Sequence, residues 1–140
     1  MESSSSSSFQ KEHSLQKEVI THFSNRQEFL DLLKVNQGIV IIDLNATWCK
    51  PCKKIQPLVD AFFASSPENV ICCSLDVDEN FDLYAFLKSK RMVNGIPALL
   101  CYIKGNTGFA PNFSHTGADP TELDAFFREC GNIQSRLQQR

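Results

Sequence analysis

The 140-residue sequence lacks any long run of apolar residues and any surplus of positive charge. A membrane-spanning helix needs about 18 or more consecutive apolar residues, and no segment approaches that length. The formal net charge is -2, so the charge gives no reason to expect a nucleic-acid or membrane partner. The first residues, Met-Glu and six serines, also lack the apolar segment of a signal peptide, and we therefore expect a cytoplasmic protein.

The sequence also lacks a second pair of closely spaced metal ligands. Cys49 and Cys52 form a Cys-x-x-Cys pair, but neither the adjacent cysteines 72 and 73 nor the three histidines supply the remaining ligands of a zinc site. An iron–sulfur cluster would likewise need four suitably spaced cysteines. We therefore expect no metal and no other cofactor besides a redox-active disulfide between Cys49 and Cys52.

The chain divides into two regions of different composition. Residues 1–16 are rich in serine and other polar residues, and they carry too few large apolar side chains to offset the entropy lost on ordering. We expect them to form a disordered arm. Residues 17–140 suffice for one hydrophobic core and contain no internal repeat, so we expect a single domain there.

Hydrophobic periodicity predicts alternating strands and helices in this domain. Residues 39–46 form a largely apolar run that is typical of a strand covered on both faces, and we expect it to be the central strand. Pro57 lies too far inside the next helix to belong to its first turn, and it predicts a kink. The predicted strands are 19–23, 39–46, 70–77, 98–103 and 112–116, and the predicted helices are 25–35, 52–65, 80–90 and 120–137.

The Cys-x-x-Cys pair follows the apolar strand and opens a helical pattern. Backbone N–H groups at the start of a helix stabilise a thiolate, and three lysines at 50, 53 and 54 add positive charge, so we expect Cys49 to be the nucleophile with a lowered thiol pKa. Cys52 lies on the same helix face and should be less exposed than Cys49. It is the candidate resolving cysteine, which attacks the mixed disulfide between Cys49 and a substrate.

Asp43 is the candidate proton acceptor for Cys52. A carboxylate in an apolar strand is desolvated, which raises its pKa toward the range useful for proton transfer, here through one water. The alternative is an aspartate that faces solvent, as most aspartates do.

Substrate contacts are expected near the cysteines and at a proline later in the chain. Trp48 precedes Cys49 and is a candidate exposed contact, although a packing role is also open. Pro97 has no N–H, and the backbone of Ile96 beside it could pair with an extended substrate segment. The full set of predicted substrate-binding residues is Trp48, Lys50, Pro51, Ile96 and Pro97.

These features together resemble thioredoxin over roughly residues 18–131. The resemblance rests on several separate landmarks: Asp43 six residues before Cys49, Trp48, the Cys-Lys-Pro-Cys loop, Pro57, Asp76-Val77-Asp78, Gly95-Ile96-Pro97 and Gly117.

The resemblance implies an α/β thioredoxin fold, with a mixed sheet of four or five strands and helices on both faces. It also implies a cis peptide bond between Ile96 and Pro97, and thiol-disulfide exchange with protein disulfide substrates. An electron donor of the thioredoxin-reductase type, or one linked to glutathione, would recycle the oxidised form, and we expect a monomer.

Three residues near the site depart from the family pattern. Asn45 stands where thioredoxins usually have a tryptophan, which removes part of the packing beside the cysteines. Ser74 stands where the family often has a lysine, which removes a positive partner from Asp43. Lys50 replaces the usual glycine within the motif. Outside the site, the loop from 105 to 111 is longer than is usual in the family.

Two other functions stay open at this stage. If Lys50 stabilises the reduced thiolate form, the disulfide becomes more oxidising and suits an oxidase or isomerase. The altered residues beside Asp43 also allow an interaction module with weak redox activity.

Of the remaining cysteines, 72, 73 and 101 are expected to be inert, whereas Cys130 is either buried or an exposed regulatory thiol.

Overall fold

The structure is a computed structural model that describes residues 16–138. The predicted arm over residues 1–16 lies almost wholly outside the described residues, so the arm and its boundary with the domain remain predictions. The elements are β1 (Val19–Ile20), α1 (Arg26–Lys34), β2 (Ile39–Asn45), α2 (Lys50–Ser65), β3 (Val70–Asp76), α3 (Phe81–Ser89), β4 (Ala98–Ile103), β5 (Phe113–Thr116) and α4 (Pro120–Gln138).

The strands form one mixed sheet in the order β1-β3-β2-β4-β5. β2 pairs in parallel with β3 and antiparallel with β4, which confirms that it is the central strand. Its first six residues are buried, because helices cover the sheet on both sides. The expected mixed sheet is therefore confirmed, with five strands among the described residues.

Alternation along the strands separates two apolar cores. Even-numbered residues of β2, such as Val40 and Ile42, face α1 and α3, whereas Ile39 and Ile41 face α2 and α4. The helices contribute Phe29, Leu33, Leu83 and Leu87 to the first core, and Ile55, Val59, Phe63, Leu123 and Phe127 to the second. None of the helices in residues 16–138 is long and apolar enough to cross a membrane.

β1 is shorter than predicted, since it ends at Ile20 instead of residue 23. Beyond it, the backbone N–H of Phe23 donates to the side chain of Asn80 (2.7 Å). After Ile20 the chain therefore leaves the sheet, and the loop between β3 and α3 holds it through Asn80. This contact spans 57 positions in sequence, and hydrophobic periodicity gives no sign of it.

The peptide bond between Ile96 and Pro97 is cis, as the resemblance implied. The N–H of Gly117 donates to the carbonyl of Pro97 (2.9 Å). Gly117 has a φ of 106°, which a residue with a side chain adopts only with strain, so glycine suits this turn. Pro57 lies inside α2, which runs from Lys50 to Ser65, and the kink there stays a prediction.

The cysteines outside the Cys-x-x-Cys pair are all buried: Cys72, Cys73, Cys101 and Cys130. Burial raises the pKa of the Cys72 and Cys73 thiols. Contact with Cys101, together with burial, raises the pKa of Cys130. The alternative of an exposed thiol at Cys130 is therefore wrong, since the last helix turns this side chain into the second core.

Candidate active site

The Cys-x-x-Cys pair lies where β2 ends and α2 begins. Cys49 is the N-cap of α2, and its Sγ accepts a hydrogen bond from the backbone N–H of Cys52 (3.2 Å). Pro51 follows in the first turn, where a proline costs no helical hydrogen bond. The sulfur of Cys49 therefore occupies the position from which helix N–H groups stabilise negative charge.

Cys49 and Cys52 form a disulfide, with their Cα atoms 5.3 Å apart. This separation is ordinary for a disulfide. Cys49 is 5% exposed and Cys52 is 2% exposed, so the predicted order of exposure holds but both side chains are largely covered. A substrate sulfur must therefore approach Cys49 through a close surface contact.

The charge around Cys49 is positive on the side of α2. Lys50, Lys53 and Lys54 are exposed on the first turns of this helix, and the first turn contains no acidic residue. Positive side chains and the helix N-terminus both favour a thiolate over a thiol. The surroundings of Cys49 thus fit a nucleophilic sulfur.

Trp48 lies on the surface beside the disulfide, with 66% of its area exposed. Its indole N–H donates to the carboxylate of Asp78 (2.8 Å), which fixes the ring on the loop between β3 and α3. Phe81, which begins α3 three residues after Asp78, is 68% exposed. The sequence did not reveal that Asp78 holds Trp48, although the Asp76-Val77-Asp78 landmark pointed to this loop.

Ile96 and Pro97 lie at the same end of the sheet as the disulfide. Ala98 of β4 pairs with Leu44 of β2, so the residues before Ala98 continue toward the turn that carries Cys49. Pro97 is buried and Ile96 is partly exposed. The structure thus places them beside the motif, where the sequence predicted a substrate contact.

Asp43 is buried in β2, with 1% of its area exposed, on the sheet face that α2 covers. The alternative of a solvent-facing aspartate is therefore wrong. Burial raises the pKa of Asp43 to about 6, and hydrogen bonds from Asn45 and Ser74 oppose the shift. The nearby Gln56 amide also lowers this pKa, whereas the negative charge of Asp60 raises it slightly.

Asn45 and Ser74 have a role that the sequence did not reveal. We expected only losses at these positions, of packing and of a positive partner. In the structure the Asn45 amide donates to Asp43 Oδ2 (3.0 Å), and the Ser74 hydroxyl donates to the same oxygen (3.3 Å). The resemblance had already placed Ser74 near Asp43, and the parallel register pairs the two residues. What it did not reveal is that both side chains donate hydrogen bonds to the carboxylate.

No cluster of three or more histidine, cysteine, aspartate or glutamate side chains in residues 16–138 is arranged to hold a metal ion.

The thioredoxin family model matches residues 19–129 of the chain. This match spans all five strands that the structure describes and the first half of α4, and it includes the disulfide, Asp43 and the cis-proline.

Individual thioredoxins show the same similarity. Thioredoxin-1 of Saccharomyces cerevisiae is 34% identical over 87 residues, which are 62% of this chain and 79% of that protein. The structure of Trichomonas vaginalis thioredoxin aligns with a TM-score of 0.61 and 27% identity, covering 79% of this chain and 96% of that one. Oxidised mitochondrial thioredoxin 3 of S. cerevisiae aligns with a TM-score of 0.60 and 29% identity, covering 79% and 94%.

Proposed function

The chain belongs to the thioredoxin family and is a protein-disulfide oxidoreductase, and we propose that it reduces its substrates with Cys49 as nucleophile and Cys52 as resolving cysteine. The observation that supports these roles best is the position of the Cys49 sulfur. It caps α2, accepts the N–H of Cys52 and is bonded to the Cys52 sulfur. No feature of the described residues favours either alternative function, an oxidase or isomerase on the one hand and an interaction module with weak redox activity on the other.

The first step is attack by the Cys49 thiolate on one sulfur of the substrate disulfide. A bond forms between Cys49 and that sulfur, the substrate S–S bond breaks, and the other substrate sulfur leaves as a thiolate that takes a proton from solvent. Cys49 suits this step better than Cys52, because its sulfur lies at the helix N-terminus and the residue as a whole is the more exposed of the two.

The second step is attack by Cys52 on the Cys49 sulfur. The proton of the Cys52 thiol passes to the Asp43 carboxylate, the Cys49–Cys52 bond forms, and the second substrate sulfur leaves as a thiolate. The substrate gains two electrons and the cysteine pair loses two. A pKa of about 6 suits Asp43 for this transfer, because the group is mostly ionised at neutral pH and still binds a proton readily.

The substrate surface comprises the exposed Trp48, the motif residues Lys50 and Pro51, and the backbone at Ile96 and Pro97. Pro97 offers no N–H, so an extended substrate segment would pair with the backbone of Ile96, as an added strand does at the edge of a sheet. Trp48 would contact the substrate with its exposed ring while Asp78 holds its N–H.

The oxidised form needs a source of two electrons. We propose a donor of the thioredoxin-reductase type or a glutathione-linked one, acting on a cytoplasmic monomer. Protein disulfides are the substrates that family membership supports.

The assignment of roles is tested with Cys49→Ser and Cys52→Ser in reduction of a protein disulfide by dithiothreitol. We expect Cys49→Ser to abolish catalysis, because the thiolate that attacks the substrate disulfide is lost. Cys52→Ser, reduced and then freed of dithiothreitol before the substrate is added, should stop after the first step and accumulate a mixed disulfide at Cys49, which intact-mass measurement detects.

The matched control is Cys72→Ala, which removes a buried thiol away from the site and should leave turnover close to that of the unaltered protein. Full activity of Cys49→Ser would refute the proposed nucleophile.

A further inference from the structure

Asp43, Asn45 and Ser74 form a closed ring of hydrogen bonds. The Asn45 amide donates to Asp43 Oδ2 (3.0 Å) and to Ser74 Oγ (3.0 Å), and the Ser74 hydroxyl donates to Asp43 Oδ2 (3.3 Å). Asp43 is buried, whereas Asn45 and Ser74 are each partly exposed. The two uncharged residues therefore lie between the carboxyl group and the surface.

A cleft of about 530 Å³ opens on the outer side of this ring. Three of the residues around it are exposed, so the cleft lies at the surface. The residues that line it all have polar or charged side chains, and they are Thr21, His22, Asn45, Ser74, Asp76 and Glu79.

The cleft exists because short side chains and a short strand leave the sheet edge uncovered. β1 pairs only with Cys72 and Cys73, so it ends just before Ser74. Asn45 pairs with Asp76 on the neighbouring strand, and neither is large enough to cover the gap. As a result, one hydrogen-bonded residue separates the Asp43 carboxyl group from the cleft.

We propose that Asn45 and Ser74 are positioning residues through which the proton of Asp43 reaches solvent in this cleft. The proposal rests on the proposed role of Asp43 as proton acceptor for Cys52. Once Asp43 is protonated, its O–H donates to Ser74 Oγ, and the Ser74 hydroxyl hydrogen turns toward the cleft. Transfer of the carboxyl proton to Ser74 Oγ and loss of the hydroxyl proton to solvent restore the carboxylate, so one proton enters and one leaves.

Asn45 serves this path by orienting the other two groups. Its amide holds the Ser74 oxygen and the carboxylate oxygen at once, which keeps them within hydrogen-bond distance. Both donors also stabilise the ionised carboxylate, which burial disfavours.

Other charged and polar groups face Asp43 or the cleft. From α2 these are Gln56, which lowers the pKa of Asp43, and Asp60, which raises it. From the loops and β3, His22, Asp76 and Glu79 line the cleft. Variants at Asn45 and Ser74 leave all of these in place, so a shift in those variants reports on the hydrogen-bonded ring.

The experiment compares Ser74→Ala, Asn45→Ala and Ser74→Thr in the full-length chain. The pKa of Asp43 is measured from the carboxyl ¹³C chemical shift in the oxidised protein, which needs no turnover. We expect each alanine variant to raise this pKa above that of the unaltered protein by about one unit, because the ionised carboxylate loses a hydrogen-bond donor. Ser74→Thr keeps the hydroxyl and should restore the original value.

A second readout follows the pH dependence of the step in which Cys52 displaces nitrothiobenzoate from Cys49, measured by stopped flow. Its midpoint should move upward with the pKa in the alanine variants. Ser114→Ala and Asn132→Ala, both at exposed positions outside the site, are the matched controls and should change neither readout.

An unchanged pKa in both alanine variants would overturn the proposal, and so would a raised pKa with an unchanged pH profile. The proposed role of Asp43 fails separately, if Asp43→Asn leaves the displacement rate unaltered.

Discussion

At the scale of single residues, the site keeps a carboxyl group where it destabilises the fold. Asp43 lies in the central strand between two apolar cores, and the hydrogen bonds from Asn45 and Ser74 compensate in part for its burial, as does the nearby Gln56 amide. Burial outweighs these bonds, since the pKa of Asp43 is raised to about 6. A group that holds its proton more tightly in the folded state makes the protein less stable once the proton is lost.

Asp43→Asn should therefore stabilise the oxidised protein at pH 8 by up to about 3 kcal/mol, the energy of a pKa shift of roughly two units. The stability of the unaltered protein should fall as pH rises from about 4 to about 6 and then stay level, because the folded state binds more protons than the unfolded state in that window. The advantage of the variant should vanish below about pH 4. Urea unfolding across this pH range measures it.

The control for this effect is Asp31→Asn, which alters an exposed carboxylate in a surface ion pair with Lys34. It should change the free energy of unfolding by no more than about 0.5 kcal/mol at either pH. Equal stability of Asp43→Asn and the unaltered protein at pH 8 would show that the burial of this carboxylate costs nothing.

At the scale of elements, the hydrophobic pattern predicted the strands and helices, and local capping set their ends. α2 was predicted to begin at Cys52 but begins at Lys50, because the Cys49 sulfur fills the capping position that an oxygen usually takes. The burial of Asp43 followed from its apolar neighbours. Its hydrogen bond with Ser74 did not, because the resemblance placed the two residues near each other but gave no orientation for their side chains.

α1 shows a second cap that can be measured. The Asn25 side chain accepts the N–H of Glu28 (3.1 Å), and the Glu28 carboxylate accepts the N–H of Ser24 (2.7 Å). Asn25→Ala should lower the free energy of unfolding by about 1 kcal/mol, because a helix N–H loses its acceptor. Asn25→Asp retains an acceptor and should lose little. If the alanine and aspartate variants unfold at the same urea concentration, this cap does not contribute to stability.

At the scale of the whole molecule, the fold brings the chemical groups to one end of the sheet. The end of β2 carries the Cys49–Cys52 pair, the start of β4 carries the cis-proline, and the loop after β3 carries Asp78 beneath Trp48. Three chain segments that are distant in sequence thus surround one disulfide. Protein-disulfide exchange at this end follows from the fold, provided that Cys49 is the sulfur that reacts first.

The most direct test of that claim is competitive alkylation of the reduced, full-length protein at neutral pH with limiting iodoacetamide, followed by peptide mapping. We expect the label on Cys49 and little on Cys52, because Cys49 is the more exposed residue and its sulfur lies at the positive end of α2. Equal labelling of the two sulfurs, or preferential labelling of Cys52, would contradict the assigned mechanism.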